Sequence, residues 1–462
     1  MDQLRSDLSE SLPVSDFRLI FLQARPVQSN NLLVYRKRDS DHKPKLTIKV
    51  RHFVGLIDDN DLFLLGFEAI IYLVVYQEKA ERVIFVSKAD TTGLSRHKVK
   101  TSEVIAKVLK YLINYDIKNY CINVKLKTSV HQSACKDRVV DLLYDTLERL
   151  RVDGVNYYRS IPYYRDTFKL PSILNGTNIL LPSQFKTFIA MFNRPSEQYL
   201  FPNSSKNSNK HISDGNHLLR WWIRILNDCL KSSQYSWTCK INIPGSDNHS
   251  MSKFLPVSND NLQWRLGSIF HENQNDLAIY QIPFFPDDPK SRFLEHIVVE
   301  NRYKTLTLKQ FWEELAFRQE FRLGKTVGII GCESSLAIVD SELHSSSHCV
   351  LSVQQYKKAI GIINGHDFHD ADDVKQLTNS SLPKHLSECG VENGCVVIRG
   401  KGATTSSSTT SNSLSNHNTV NDLSFSVRSI SKKRMTSEDL SRDKTLNAVN
   451  NLVPRKKYKP HS

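Results

Sequence analysis

This sequence lacks the usual cofactor fingerprints. No G-x-G-x-x-G loop is present, which excludes the common dinucleotide-binding turn. Gly324-Lys325-Thr326 resembles the end of a phosphate-binding loop, but the glycine needed five positions earlier is Gln319. Arg399-Gly400-Lys401-Gly402-Ala403 starts like an R/Q-x-x-G-x-G/A pyrophosphate loop and fails at Thr404. The eight cysteines, at 121, 135, 229, 239, 332, 349, 389 and 395, form no C-x-x-C pair and have no histidine at zinc-ligand spacing. They read as reduced and structural, with no metal expected. The longest apolar run, Leu62 to Tyr76, contains Gly66 and Glu68 and is too short for a bilayer span, so it reads as paired buried strands. The opening residues MDQLRSDLSESLPVSDF carry acids and lack the apolar stretch of a secretory leader, which points to cytosol or nucleus. No internal repeat is visible.

What the chain does have is positive charge. A formal net charge of +14 over 462 residues favours an acidic partner: nucleic acid, chromatin, an acidic protein or a phosphate-bearing cofactor. Ten Lys or Arg against four Asp or Glu fall between Asn421 and Ser462. Residues Ala403 to Ser415 are almost pure Ser, Thr and Asn, a composition that cannot offset ordering entropy by burial. Residues 403–462 therefore read as a disordered tail with two basic clusters, Lys432-Lys433-Arg434 and Arg455-Lys456-Lys457-Tyr458-Lys459, suited to nuclear import or electrostatic contact. Residues 1–402, with 40% hydrophobic content along the whole chain, can form one large α/β domain.

The patterning within those residues is mixed. Strands are expected at Phe17 to Gln23, Leu46 to Phe53, Arg82 to Ser87, Ser236 to Ile243, Gln263 to Ile269 and Leu277 to Ile282. Helices are expected from Thr101 or Ser102 as N-cap, from Ser213 or Asp214 as cap with a stripe of Leu218, Trp222, Ile225 and Cys229, and after Thr307, where Gln310 completes a capping box. Asp137 to Val152 is a further amphipathic segment. Alternating elements of this kind favour a single layered α/β unit.

Three places could carry chemistry. The segment Asn193 to Trp222 gathers Arg194, Lys206, Lys210 and His211 among Ser204, Ser205 and Ser208 and then opens a helix, an arrangement suited to anions. A solvated polar loop is the plainer reading. Asp287-Asp288-Pro289 places two carboxylates at a helix start. Asp288 as N-cap with Pro289 at the first helical position accounts for them, while a paired acid could also accept a proton from an amine. Asp90 follows a strand in the loop Lys88 to Gly93, where α/β folds place site residues; turn formation is the alternative. Tyr199, Trp221 and Trp222 could line a narrow channel for an aliphatic side chain, or simply pack.

IFVSKADTTG, FNRPSEQYLFPNSSKNSNKH and YQIPFFPDDPKSRF occur together and in this order. With them the chain resembles the fungal histone acetyltransferases of the regulator-of-Ty-transposition family, distant relatives of the CBP acetyltransferases. The resemblance runs from LPVSDF to about Phe321 and is poor over Leu126 to Tyr158, the expected variable loop. It implies a central mixed sheet ringed by helices, with acetyl transfer from acetyl-CoA to histone H3 lysines, one in the globular core near the DNA entry point and others in the tail. It implies acetyl-CoA contacts at Ala89, Asp90, Thr91, Lys98, Val99, Lys100, Thr101, Ser102, Phe192, Ser196, His211, Ile212, Ser213 and Trp221, with Arg194 and Lys210 supplying charge. Asp288 matches the proton acceptor, and Asp287, Asp90, Tyr199 and Trp222 match other active-site positions. Lys290 matches an autoacetylated lysine. Histone H3–H4, a NAP-type chaperone and the anti-silencing H3–H4 chaperone are the implied partners, in the nucleus, without a membrane or sequence-specific nucleic acid. The rival from another class is a basic, non-enzymatic chromatin or nucleic-acid binder.

Overall fold

In the computed structural model the described residues are 1–35, 43–126, 174–175, 178–318, 326–339, 349–391 and 394–402. The Asp137 to Val152 segment and the 403–462 tail lie outside them. The main strands are β1 (Asp16–Ala24), β2 (Leu46–Ile57), β3 (Phe63–Val75), β4 (Lys79–Thr91), β5 (Gln184–Asn193), β6 (Trp237–Asn242), β7 (Leu262–Leu266), β8 (Gly328–Ser334), β9 (Cys349–Leu351) and β10 (Cys395–Arg399). With Val27–Gln28 and Ala337–Ile338 they form one mixed sheet, twelve-stranded among the described residues, along the path β7-β6-β8-β5-β4-β3-β2-β1-β9. β4 and β5 run parallel at its centre; β3 pairs antiparallel with both β2 and β4.

Helices cover both faces. They include α1 (Asp2–Ser11), α2 (Thr101–Asn114), α3 (Gly215–Lys231), α4 (Pro289–Val299), α5 (Leu308–Ala316) and α6 (Val353–Asn364). Residues of alternating parity on one strand reach opposite cores. Leu19 and Phe21 join Val104, Val108, Leu112, Leu219 and Leu226 from α2 and α3, whereas Ile20 and Leu22 join Tyr356, Ala359 and Phe368. α4 and α5 bring Phe293, Ile297, Leu308 and Phe311 into a further cluster. No helix among the described residues is long and apolar enough to cross a membrane.

The caps behave as their sequences require. Asp214 accepts the N–H of His217, Thr307 and Gln310 form a capping box, and Asp288 caps α4 with Pro289 in its first turn. Three expectations change. Leu62 to Tyr76 forms one strand, β3, buried along its whole length because it is paired on both edges and covered on both faces. Strand β4 continues through Asp90 to Thr91, since its pairing with β3 holds up to Leu65↔Thr91. Leu277 to Ile282 is no strand: it makes a single bridge to Thr307 and a 3₁₀ turn, Ala278–Tyr280, where its apolar residues serve the α4–α5 core.

One buried cation fixes α2. Arg82, 1% exposed, sends its guanidinium from β4 to the carbonyls of Ile113 and Tyr115 at the helix end and to Thr187 of β5. A cation is favourable at that negative end of the helix dipole. The opposite end of α2 is thereby held over the carboxyl ends of β4 and β5.

Candidate active site

The site starts where two parallel strands part. β4 and β5 stay in register up to Val86↔Met191, and at Ser87 an extra residue bulges out of the β3–β4 ladder. A bulge bends its strand and increases local twist. Beyond it lies a cleft of about 590 Å³, bordered by Ala89, Asp90, Thr91, Thr101, Met191 to Ser196, Tyr199, Lys210, His211, Ser213, Trp221, Trp222 and Pro286 to Pro289. Strand ends, two helix starts and the Asp287–Asp288 turn thus meet at one opening. Lys98, Val99, Lys100, Ser102 and Ile212 do not border it.

Asp90 organises the loop above. Its Oδ2 accepts the backbone N–H groups of Tyr199 at 2.7 Å and Leu200 at 2.9 Å, and its Oδ1 meets the Lys210 ammonium at 2.8 Å. Lys210 also donates to Ser204 Oγ at 2.6 Å, and both charged side chains are almost fully buried. The loop therefore uses Lys210 and Ser204 internally. Gly93, at φ +71°, lets the loop approach: a Cβ there would lie 2.5 Å from the Lys210 backbone nitrogen. Asn207 ties the far side, donating to the carbonyls of Thr92 and Phe368, both at 2.7 Å, and the Phe368 ring packs tilted against Phe201 with centroids 4.5 Å apart.

Positive character comes from elsewhere. Arg194, Lys88 and Arg292 supply it at the border of the cleft, which His211 and His217 also line; Lys88, His217 and Arg292 are residues that sequence reasoning did not single out. The two helix starts exchange their expected roles. Asp214 accepts the His217 N–H at the start of α3, whereas α2 has Lys100, not Thr101 or Ser102, at its N-cap position, with no side-chain cap, and presents Thr101 at the cleft. Unfilled N–H groups at a helix start favour an anion.

The acids differ sharply. Asp287 is exposed and sits in a left-handed turn at φ +58°. Asp288 is 1% exposed; its Oδ1 accepts the Lys290 N–H at 3.0 Å and its Oδ2 binds the Lys290 ammonium. That ammonium, 5% exposed as a residue, also lies 5.1 Å from the Phe192 ring centroid. Cap and chemical readings of Asp288 are thus compatible. Trp222 is 6% exposed yet borders the cleft, so its core stripe doubles as a channel wall, and Trp221 meets it edge to face at 5.0 Å. Tyr199 donates its hydroxyl to the Arg194 carbonyl. Burial pushes that phenol up to about 12, with Arg194 opposing and Asp90 adding to the shift, so it stays protonated near neutrality.

Asn193 gave no signal in the sequence. It ends β5, is 4% exposed and borders the cleft, and neither polar atom of its carboxamide has a partner. The described cysteines are free thiols, none of them bordering the cleft, and burial raises several of their pKa values. A covalent thiolate route therefore has no support here.

An α/β domain with a deep cleft at the carboxyl ends of central strands, a cationic rim and a paired-acid turn has the build of a group-transfer enzyme acting on a phosphate-bearing cosubstrate. The chain belongs to the histone acetyltransferase KAT11-type domain family, whose model matches residues 4–384. It is similar to histone acetyltransferase RTT109 of Candida albicans, 35% identical over 367 residues that cover 79% of this chain and 96% of that protein. Similarity extends to histone acetyltransferase rtt109 of Schizosaccharomyces pombe, 23% identical over 346 residues, 72% of this chain and 74% of that protein. The fold matches the crystal structure of Rtt109 from Aspergillus fumigatus with a TM-score of 0.61 at 20% identity, covering 87% of this chain and 100% of that one. The protein is a histone acetyltransferase, and its family implies acetyl-CoA as cosubstrate.

Proposed function

We propose that this enzyme acetylates lysines of histone H3, a globular-core lysine near the DNA entry point and tail lysines, when H3–H4 is delivered by a NAP-type chaperone and the anti-silencing H3–H4 chaperone. The activity serves chromatin assembly, replication and repair in the nucleus. The observation that carries the reading is the single cleft joining a cationic, helix-started rim to the Asp287–Asp288 turn through a tryptophan-lined passage. Arg194, His211 and the start of α2 suit the phosphate-bearing end of acetyl-CoA; Ala89, Thr91, Phe192, Ser196, Ser213 and Trp221 suit its arm. Trp222 and Tyr199 guide the lysine stem. The enzyme and its substrate are both basic, so an acidic chaperone acts as an electrostatic bridge.

The attacking lysine must shed a proton before it can bond to the acyl carbon. Asp288 receives it, aided by Asp287. While Lys290 remains an ammonium, Asp288 Oδ2 is engaged, so acetylation of Lys290 removes a charge and leaves the carboxylate able to accept. Transfer is direct, and positioning supplies most of the acceleration.

The test incubates the full chain with acetyl-CoA and H3–H4, with and without each chaperone, and locates acetyl groups by mass spectrometry. Acetyl on H3, increased by chaperone, is expected. Salt-dependent DNA binding with no acetyl on H3 under any condition would sink the proposal in favour of a non-enzymatic chromatin role for this chain.

A further inference from the structure

A buried carboxamide without partners points to a missing one. Leaving both its donor and its acceptor unmade is unfavourable, and native proteins rarely tolerate it without a ligand or water to supply the bonds. Asn193 is in that state at the wall of the cleft. Alternation along β5 fixes which side of the opening it serves. Ile189 and Met191 pack into the core beneath α2 and α3, so Asn193 lies on that helix-covered face, where Thr101, Ile105, Leu218 and Trp221 also border the cleft. Phe192 belongs to the other face, beside the Lys290 ammonium. Asn193 and Phe192 thus border the one cleft from opposite faces of β5.

We propose that Asn193 recognises an amide of the pantetheine arm of acetyl-CoA, its –NH₂ donating to the amide carbonyl and its oxygen accepting the amide N–H. The inference rests on the acetyl-CoA reading above and adds a specificity-determining residue to it. Phosphate oxygens and the thioester carbonyl offer acceptors only, and either would leave the Asn193 oxygen unpaired. An amide matches both atoms. No bond to carbon is made or broken by this residue; it holds the arm so that the thioester reaches the passage lined by Trp222.

The experiment measures dissociation constants of the full-length protein for acetyl-CoA and for two analogues in which one or the other pantetheine amide N–H is replaced by an ester oxygen. Wild-type protein should bind one of the analogues about tenfold more weakly than acetyl-CoA. In Asn193→Leu, which keeps the branching at Cγ and removes both polar atoms, that discrimination should collapse to within about twofold. Equal binding of all three compounds by the wild type overturns the proposal even if the variant does not fold. Undiminished discrimination by Asn193→Leu overturns it as well, as does a variant defect seen only in the Michaelis constant for H3–H4. Failure of the wild type to bind acetyl-CoA at all removes the cosubstrate reading and this inference together.

Discussion

Replacing Asp90 should loosen the loop from Arg194 to Ser213 far more than replacing its ion-pair partner. In Asp90→Ala the Lys210 ammonium stays buried without its counterion, and the N–H groups of Tyr199 and Leu200 lose their acceptor. Breaking a buried pair from one side costs about 3–5 kcal/mol. In Lys210→Met the carboxylate keeps its backbone donors, and the expected loss is about 1–2 kcal/mol. The loop can open without global unfolding, so the readout is amide hydrogen exchange at Ser204 and Lys206, whose N–H groups bond to Phe201 and Asn203. A loss of about 3 kcal/mol corresponds to exchange roughly a hundredfold faster. Asp90→Asn combined with Lys210→Met should be milder than Asp90→Asn alone, because the unpaired ammonium is gone. Unchanged exchange in Asp90→Ala, or a Lys210→Met effect as large, would refute the hub role of this carboxylate.

Three other perturbations bear on the same framework. Lys290→Gln, neutral like an acetylated lysine, should keep transfer within about threefold of wild type, whereas Lys290→Arg should lose about a hundredfold by holding Asp288; equal initial rates on H3–H4 would contradict this. Burial, reinforced by Lys240 and opposed by Asp276, lowers His271 from its ordinary 6.5 to about 4. The unfolded chain then binds a proton that the folded one refuses, so stability is full above pH 6.5 and falls as pH drops toward 4, by up to about 3 kcal/mol. Urea midpoints of His271→Phe should lack that part of the decline, and identical slopes for both proteins would count against it. Gly93→Ala places a Cβ against the Lys210 backbone in a left-handed conformation and should weaken acetyl-CoA binding at least tenfold; calorimetry giving wild-type affinity would show that the close approach is dispensable.

Local signals were readable wherever one residue type has one use. Asp214, Asp288 with Pro289, and the Thr307–Gln310 box marked helix starts that the structure keeps, and the Trp222 stripe located both core and cleft. Periodicity failed where pairing decides. Leu62 to Tyr76 reads as two strands or one depending on neighbours distant in sequence, and β9 and β10 are short segments whose strand character depends on β1. The candidate site residues came mainly from resemblance, which could not say how they divide the work. Nothing in the sequence tells that Lys210 is consumed by Asp90, that α2 instead of α3 is the uncapped helix, or that Asn193 is left without partners. These are properties of side chains brought together from β4, β5 and the loops beyond them.

The contact between Phe368 and the loop at Phe201 sets how much polypeptide a working fragment needs. Phe368 donates its N–H to Pro202 and accepts from Asn207, while His369 meets the Asn207 side chain at 2.9 Å. A protein cut before Cys349 would retain every residue that borders the cleft, yet the loop carrying Arg194, Tyr199 and His211 would lose its outer brace. The smallest competent enzyme is therefore longer than an inventory of its cleft residues implies, and a partner that pulls on α6 or the segment after it has a mechanical route to the mouth of the cleft.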